Sequence, residues 1–134
     1  MVRVLLIEDD MDDVELLEDT FKSNGFNHQL EVINDGNEAI KYLHNCKVCP
    51  DLIILDFNLP KVHGRDILKE IKSLNGFKNT PVLILTTSSA KEDMDYAYKN
   101  GASKFLIKPA NVSQIKNMFN VVVELTAGVT KHEH

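Results

Sequence analysis

Four short stretches of this sequence carry groups that could act together on one ligand. Glu8-Asp9-Asp10 offers three adjacent carboxylates and Asp56-Phe57-Asn58 a fourth with a side-chain amide. Thr86-Thr87-Ser88-Ser89 is a run of hydroxyls, and Lys108-Pro109 brings an ammonium. Each follows directly on a run of apolar residues. Carboxylates held within a few ångströms repel, and burial sharpens the repulsion, so such a group persists where a cation occupies it. All-oxygen ligands suit Mg²⁺, which keeps several waters and bridges to phosphoryl oxygens. A lysine and a hydroxyl beside the metal make a place for a tetrahedral anion. A carboxylate can itself attack phosphorus to form an aspartyl phosphate, the protein contributing position and charge neutralisation.

These groups meet only if the chain brings them to one place. Val4-Leu5-Leu6-Ile7, Leu52-Ile53-Ile54-Leu55 and Val82-Leu83-Ile84-Leu85 are continuous apolar runs that read as strands buried on both faces. Leu30-Glu31-Val32-Ile33 and Phe105-Leu106-Ile107 are weaker strands, nearer an edge. Between them lie helical patterns: Val14, Leu17 and Phe21, stopped at Gly25; Gly36 to Leu43; Ile67, Leu68, Ile71 and Leu74; Met94, Ala97 and Tyr98; and Val112, Ile115, Phe119 and Val122, capped by Asn111. Strand and helix alternate five times, which predicts an α/β fold with a parallel five-stranded sheet, helices on both faces and strand order 2-1-3-4-5. In that order the first and third strands are neighbours, and ligands bind outside their carboxyl ends. Glu8, Asp9 and Asp56 then share one pocket, with Thr86 and Lys108 beside it.

Composition narrows the classes. The chain has 134 residues, 43% hydrophobic and 26% charged, with a net charge of −5. That fits one packed domain, expected over residues 1–127, with a polar tail at 128–134. His132 and His134, in that tail, are assigned no role. Residues 8 to 19 hold eight acids and no base, leaving the remainder at +3. Asp12, Asp13 and Glu15 are accounted for as first-turn complements of a helix dipole, and Asp10 as a cap or solvated neighbour. The overall charge argues against a nucleic-acid surface. No apolar run approaches the roughly 20 residues needed to span a bilayer, and the acids at 8–10 do not suit a secretory leader, so the expected compartment is the cytoplasm.

At these residues the sequence resembles the receiver domain of two-component response regulators over about residues 3 to 125. The motifs are Leu6-Ile7-Glu8-Asp9-Asp10, Asp51 through Pro60, His63-Gly64, Leu85-Thr86-Thr87-Ser88, Asn100-Gly101-Ala102 and Lys108-Pro109. The Asn58-Leu59-Pro60-Lys61 and Leu85-to-Ser88 versions look most like stand-alone receivers, including those paired with phytochrome kinases. The resemblance implies a flavodoxin-like fold and a set of roles. Asp56 is the phosphoacceptor, receiving from a histidine kinase or phosphotransfer protein. Glu8, Asp9, Asp56 and the Asn58 carbonyl hold Mg²⁺. Thr86 and Lys108 bond the phosphoryl group, and Phe105 is the switch aromatic. It also implies a cis Lys108–Pro109 bond, a downstream protein target and no output domain. Four departures stand out: Phe105 for the usual Tyr, Leu59 for Met, His63 where an acid is frequent, and Thr87 where a smaller residue is typical, which could narrow access to Asp56.

Two other functions compete. A Mg²⁺-dependent phosphatase with an Asp nucleophile usually has Asp-x-Asp after its first strand and a cap domain; this chain has Glu-Asp-Asp and no spare length. A flavin or nucleotide carrier needs a Gly-rich phosphate loop, which is missing. The pair Cys46-x-x-Cys49 follows a helix rather than opening one, and is read as structurally incidental. Along the last helix, Met118, Val121 and Leu125 form a second apolar stripe. It predicts an exposed patch and a homodimer through the fourth helix, fifth strand and fifth helix.

Overall fold

A computed structural model describes residues 1–60 and 62–132. Its strands are β1 (Val2–Ile7), β2 (His28–Ile33), β3 (Leu52–Leu55), β4 (Val82–Thr86) and β5 (Lys104–Ile107). Its helices are α1 (Met11–Ser23), α2 (Gly36–Asn45), α3 (Gly64–Ser73), α4 (Lys91–Lys99), α5 (Val112–Leu125) and α6 (Ala127–His132), with a single 3-10 turn at Asn75–Phe77. All strand pairs are parallel, and the order is β2-β1-β3-β4-β5 as expected.

Apart from Arg3 near the start of β1 and Thr86 at the end of β4, the central strands are apolar throughout, because successive side chains enter opposite layers. Leu5, Ile7, Ile53, Leu55 and Ile84 face α2, α3 and α4, against Leu43, Ile67, Leu68 and Ile71. Val4, Leu6, Leu52, Ile54 and Leu83 face α1 and α5, against Leu17, Phe21, Met118 and Val122. Helix starts are fixed by side chains that accept from free amides. Asp10 accepts from Asp12 N, Asp35 from Asn37 N and Glu38 N, His63 Nδ1 from Arg65 N, and Asn111 from Gln114 N.

Two expectations are corrected, one on α5 and one at Pro109. The two stripes on α5 are one face: Met118, Val121 and Val122 are buried, whereas Val112, assigned to the core, is 71% exposed. At about 100° per residue, Val121, Val122 and Leu125 all lie within about 60° of Met118, and Val112 lies about 120° away. Val121 and Met118 therefore form no exposed patch. The segment expected as a polar tail is helical over Ala127–His132, with Val129 packed on the α1–α5 layer; His134 lies outside the described residues. Finally, among the described residues every peptide bond is trans, Lys108–Pro109 included.

Candidate functional site

The parallel ladder runs one residue past the strands and so fixes the backbone of the site. Glu8 N donates to Ile33 O at 3.1 Å, Asp56 N to Ile7 O at 3.2 Å and Lys108 N to Thr86 O at 2.8 Å. Three chemically active side chains are thereby held at the carboxyl ends of β1, β3 and β5. Gly64 opens α3 directly over this edge. A Cβ there would stand 2.4 Å from Phe57 Cα and 2.6 Å from the Asp56 carbonyl oxygen, so only glycine allows the approach.

The expected residues converge. Glu8, Asp9 and Asp56 each present a carboxylate oxygen within 4.8 Å of the others. Glu8 and Asp56 are buried and Asp9 is exposed. Glu8 Oε2 accepts from the amides of Asp9 and Asp10, and Asp56 Oδ1 from the amide of Asn58 at 2.9 Å. These bonds aim the carboxylates. An all-oxygen set with one face open to solvent fits a hard divalent cation that keeps part of its water shell.

Lys108 is the base among these acids. Its Nζ lies 2.8 Å from Glu8 Oε1, 3.0 Å from Asp56 Oδ2 and 2.5 Å from Asp13 Oδ2. Burial works against its charge, but the hydrogen bonds to Asp13, Glu8 and Asp56 outweigh it and hold the ammonium above the usual lysine range. Burial pushes Glu8 up to about 7; the bond to Lys108 opposes the rise and the charge of Asp56 adds to it.

Thr86 is fully buried at the end of β4. Its hydroxyl accepts from Asn58 Nδ2 at 3.2 Å and from the Ser88 amide at 3.3 Å. Asn58 Nδ2 also donates to Thr87 Oγ1 at 2.8 Å, so the departure at Thr87 ties the β4–α4 connection to the β3–α3 connection. Phe105 is buried, its ring 5.9 Å from that of Phe57 in an edge-to-face arrangement, and its amide donates to Tyr98 Oη at 3.0 Å.

Two features escaped the sequence analysis. Asp13 belongs to the site, where dipole complementation alone had been assigned to it. The available signal was its position three residues after the cap Asp10, on the first turn that overhangs the sheet edge. The second is a cluster under α4: Arg65 pairs with Asp93, Ser88 Oγ donates to Asp93 at 2.6 Å, and the Arg65 guanidinium lies 5.1 Å from the centre of the Tyr96 ring. The Ser88 bond and Arg65 hold Asp93 below the usual carboxylate range.

Comparison with known proteins agrees with this geometry. The family model described as the response regulator receiver domain matches residues 4–120. Response regulator Rcp1 of Synechocystis sp. is 35% identical over 124 residues, covering 89% of this chain and 82% of that protein. The solved Mn²⁺-bound form of Rcp1 superposes with a TM-score of 0.82 at 32% identity, covering 92% of each chain. The phosphorylated cyanobacterial phytochrome response regulator RcpA gives 0.83 at 34% identity, covering 92% of this chain and 91% of that one.

Proposed function

The chain belongs to the response regulator receiver domain family, and from that membership we propose that it is a phosphoacceptor switch in which Asp56 is the accepting residue. The observation that carries the reading is one buried carboxylate, Asp56, set between two further acids and an ammonium at the carboxyl ends of β3, β1 and β5. The donor is a sensor histidine kinase or a phosphotransfer protein. An Asp56 carboxylate oxygen attacks phosphorus, the bond from phosphorus to the donor's imidazole nitrogen breaks, and an aspartyl phosphate results.

Glu8, Asp9, Asp56 and the backbone carbonyl of Asn58 hold Mg²⁺ in this reading. When bound, the ion neutralises the carboxylates and the incoming phosphoryl oxygens. The Mn²⁺ in the related Rcp1 structure supports the assignment. Lys108 exchanges a carboxylate partner for a phosphoryl oxygen. The Thr86 hydroxyl, now an acceptor from Asn58, turns to donate to the phosphoryl group. Thr86 and Phe105 lie on paired strands, β4 and β5, so movement of the hydroxyl changes the space open to the Phe105 ring. With no hydroxyl of its own, Phe105 reads that change by packing.

The altered surface is the face made by α4, β5 and α5, which engages a downstream protein. A groove of about 290 Å³ there is lined by Met94, Phe105, Leu106, Ile107, Gln114 and Met118, so the switch ring itself forms part of the wall. Exposed Ile107 and Val112 border this face and make it the place for a homodimer. The chemistry is confined to gain and loss of its own phosphoryl group, without turnover of external substrates. No helix among the described residues is long and apolar enough to cross a membrane, and we place the protein with its kinase's catalytic core in the cytoplasm.

Hydroxylamine tests the bond type. An acyl phosphate on Asp56 is cleaved by it and the label is lost. A label that survives and maps to Thr86, Thr87 or Ser88 overturns the proposal.

A further inference from the structure

The two cysteines lie in the connection from α2 to β3, at the end of the sheet opposite Asp56. Cys46 caps α2 and is half-buried against the core, its thiol donating to Leu43 O at 3.6 Å. Cys49 is exposed. Their Sγ atoms stand 3.1 Å apart; a disulfide is about 2.05 Å long, so the sulfurs need to close by about 1 Å. Both ends of the connection are anchored. The last turn of α2 holds one. At the other, Asp51 N donates to Arg3 O at 2.7 Å and the Asp51 carboxylate accepts from Arg3 N at 2.8 Å. Fixed ends keep the thiols together rather than letting the loop splay. A zinc site would need two more ligands, and among the described residues the only gathered set of potential metal ligands is the one at Glu8, Asp9 and Asp56.

We propose that Cys46 and Cys49 form a reversible thiol–disulfide site, oxidised by a low-molecular-weight disulfide. Cys49 is the entry point because it is exposed. Cys46 is the resolving partner, and burial together with the neighbouring Cys49 thiol pushes it up to about 11, which makes it the poorer first nucleophile. The Cys49 thiolate attacks one sulfur of the external disulfide, forming a mixed disulfide and releasing one thiolate. The Cys46 thiolate then attacks Cys49 Sγ, forming the internal bond and releasing the second. Two protein thiols are oxidised, one external disulfide is reduced to two thiols, and the two protons pass to the departing thiolates. The product staples the end of α2 to the entry of β3, far from the acidic site, so oxidation and Asp56 chemistry proceed independently.

The test uses the full chain in glutathione buffers from reducing to oxidising, quenched with an alkylating reagent and read by intact mass and peptide mapping. The expected product has lost two hydrogens, takes up no alkyl group and links Cys46 to Cys49 within one peptide. Cys46→Ser should instead accumulate a stable glutathione adduct on Cys49, because the resolving thiol is gone. Wild-type protein that keeps both thiols alkylatable in the most oxidising buffer overturns the proposal. So does wild type that collects the same adduct as Cys46→Ser, or disulfide-linked dimers.

Discussion

Lys108 Nζ lies 2.5 Å from Asp13 Oδ2, joining the end of β5 to the first turn of α1 across 95 residues of sequence. The ammonium is thus shared between an outer carboxylate, Asp13, and the inner pair Glu8 and Asp56. Asp13→Asn should release Lys108 onto the inner pair, where it competes with a cation. The expected result is Mg²⁺ affinity weaker by about threefold to tenfold, and metal-free stability lower by about 1 kcal/mol, the scale of one charge-assisted hydrogen bond at a partly exposed site. Calorimetric titration and thermal melts check it; unchanged values in both would detach Asp13 from the site.

Mg²⁺ should stabilise the fold. At tenfold excess over its Kd, a ligand specific for the native state adds about 1.4 kcal/mol, or about 5 °C in Tm for a domain of this size. Glu8→Gln and Asp9→Asn should each remove most of the gain. A wild-type melt indifferent to millimolar Mg²⁺ would count against the carboxylates as a metal site.

Glu8 gives stability a pH dependence of definite sign. Its carboxyl is raised by burial from 4.5 to about 7 in the folded state, so between those values the folded chain binds a proton that the unfolded chain has released. Stability from this group is present below the lower value and is lost as pH rises through the upper one. Without Mg²⁺, the wild-type Tm should fall relative to that of Glu8→Gln as pH goes from about 5 to about 8. A difference that does not change with pH contradicts the assignment.

Gly64→Ala tests the seat of Asp56. The added Cβ collides with backbone at Phe57 and Asp56 rather than with a flexible side chain, and overpacking of this kind costs about 1–3 kcal/mol. The melt should drop by several degrees and labelling of Asp56 should slow even where the protein is folded. Wild-type labelling kinetics in a folded variant would show that the close approach does not set the geometry of Asp56.

Self-association through the α4–β5–α5 face is testable at Ile107, which is 53% exposed. Ile107→Glu should fold normally and sediment as a monomer under conditions where phosphorylated wild type is dimeric. Val121 does not serve this purpose, since it is buried and a glutamate there would destabilise the fold as well as alter the surface. Wild type that is monomeric with and without phosphodonor would remove the dimer.

The strands and their order were readable because central strands of a parallel sheet are apolar at every position, a pattern few other elements share. The convergence of Glu8, Asp56, Thr86 and Lys108 was readable because the first three stand at the ends of central apolar runs and Lys108 follows the shorter edge run Phe105–Ile107, and the topology brings those ends together. Asp13 was not, because the helix dipole is a sufficient local reason for an acid in a first turn and its partner is remote in sequence. The face of α5 was misread for a related reason. Its many apolar positions allow more than one phase, and only packing on the sheet selects the one centred on Met118. Arg65 and Asp93 likewise meet only through the placement of α3 against α4.

In the proposed function Asp56 carries the phosphoryl group. Intact mass after incubation with a small acyl-phosphate or phosphoramidate donor and Mg²⁺ measures it most directly. Wild type should gain one phosphate, only with Mg²⁺ present, and a folded Asp56→Asn variant should gain none. Equal labelling of Asp56→Asn, or no labelling of wild type with Mg²⁺ bound, would contradict this assignment.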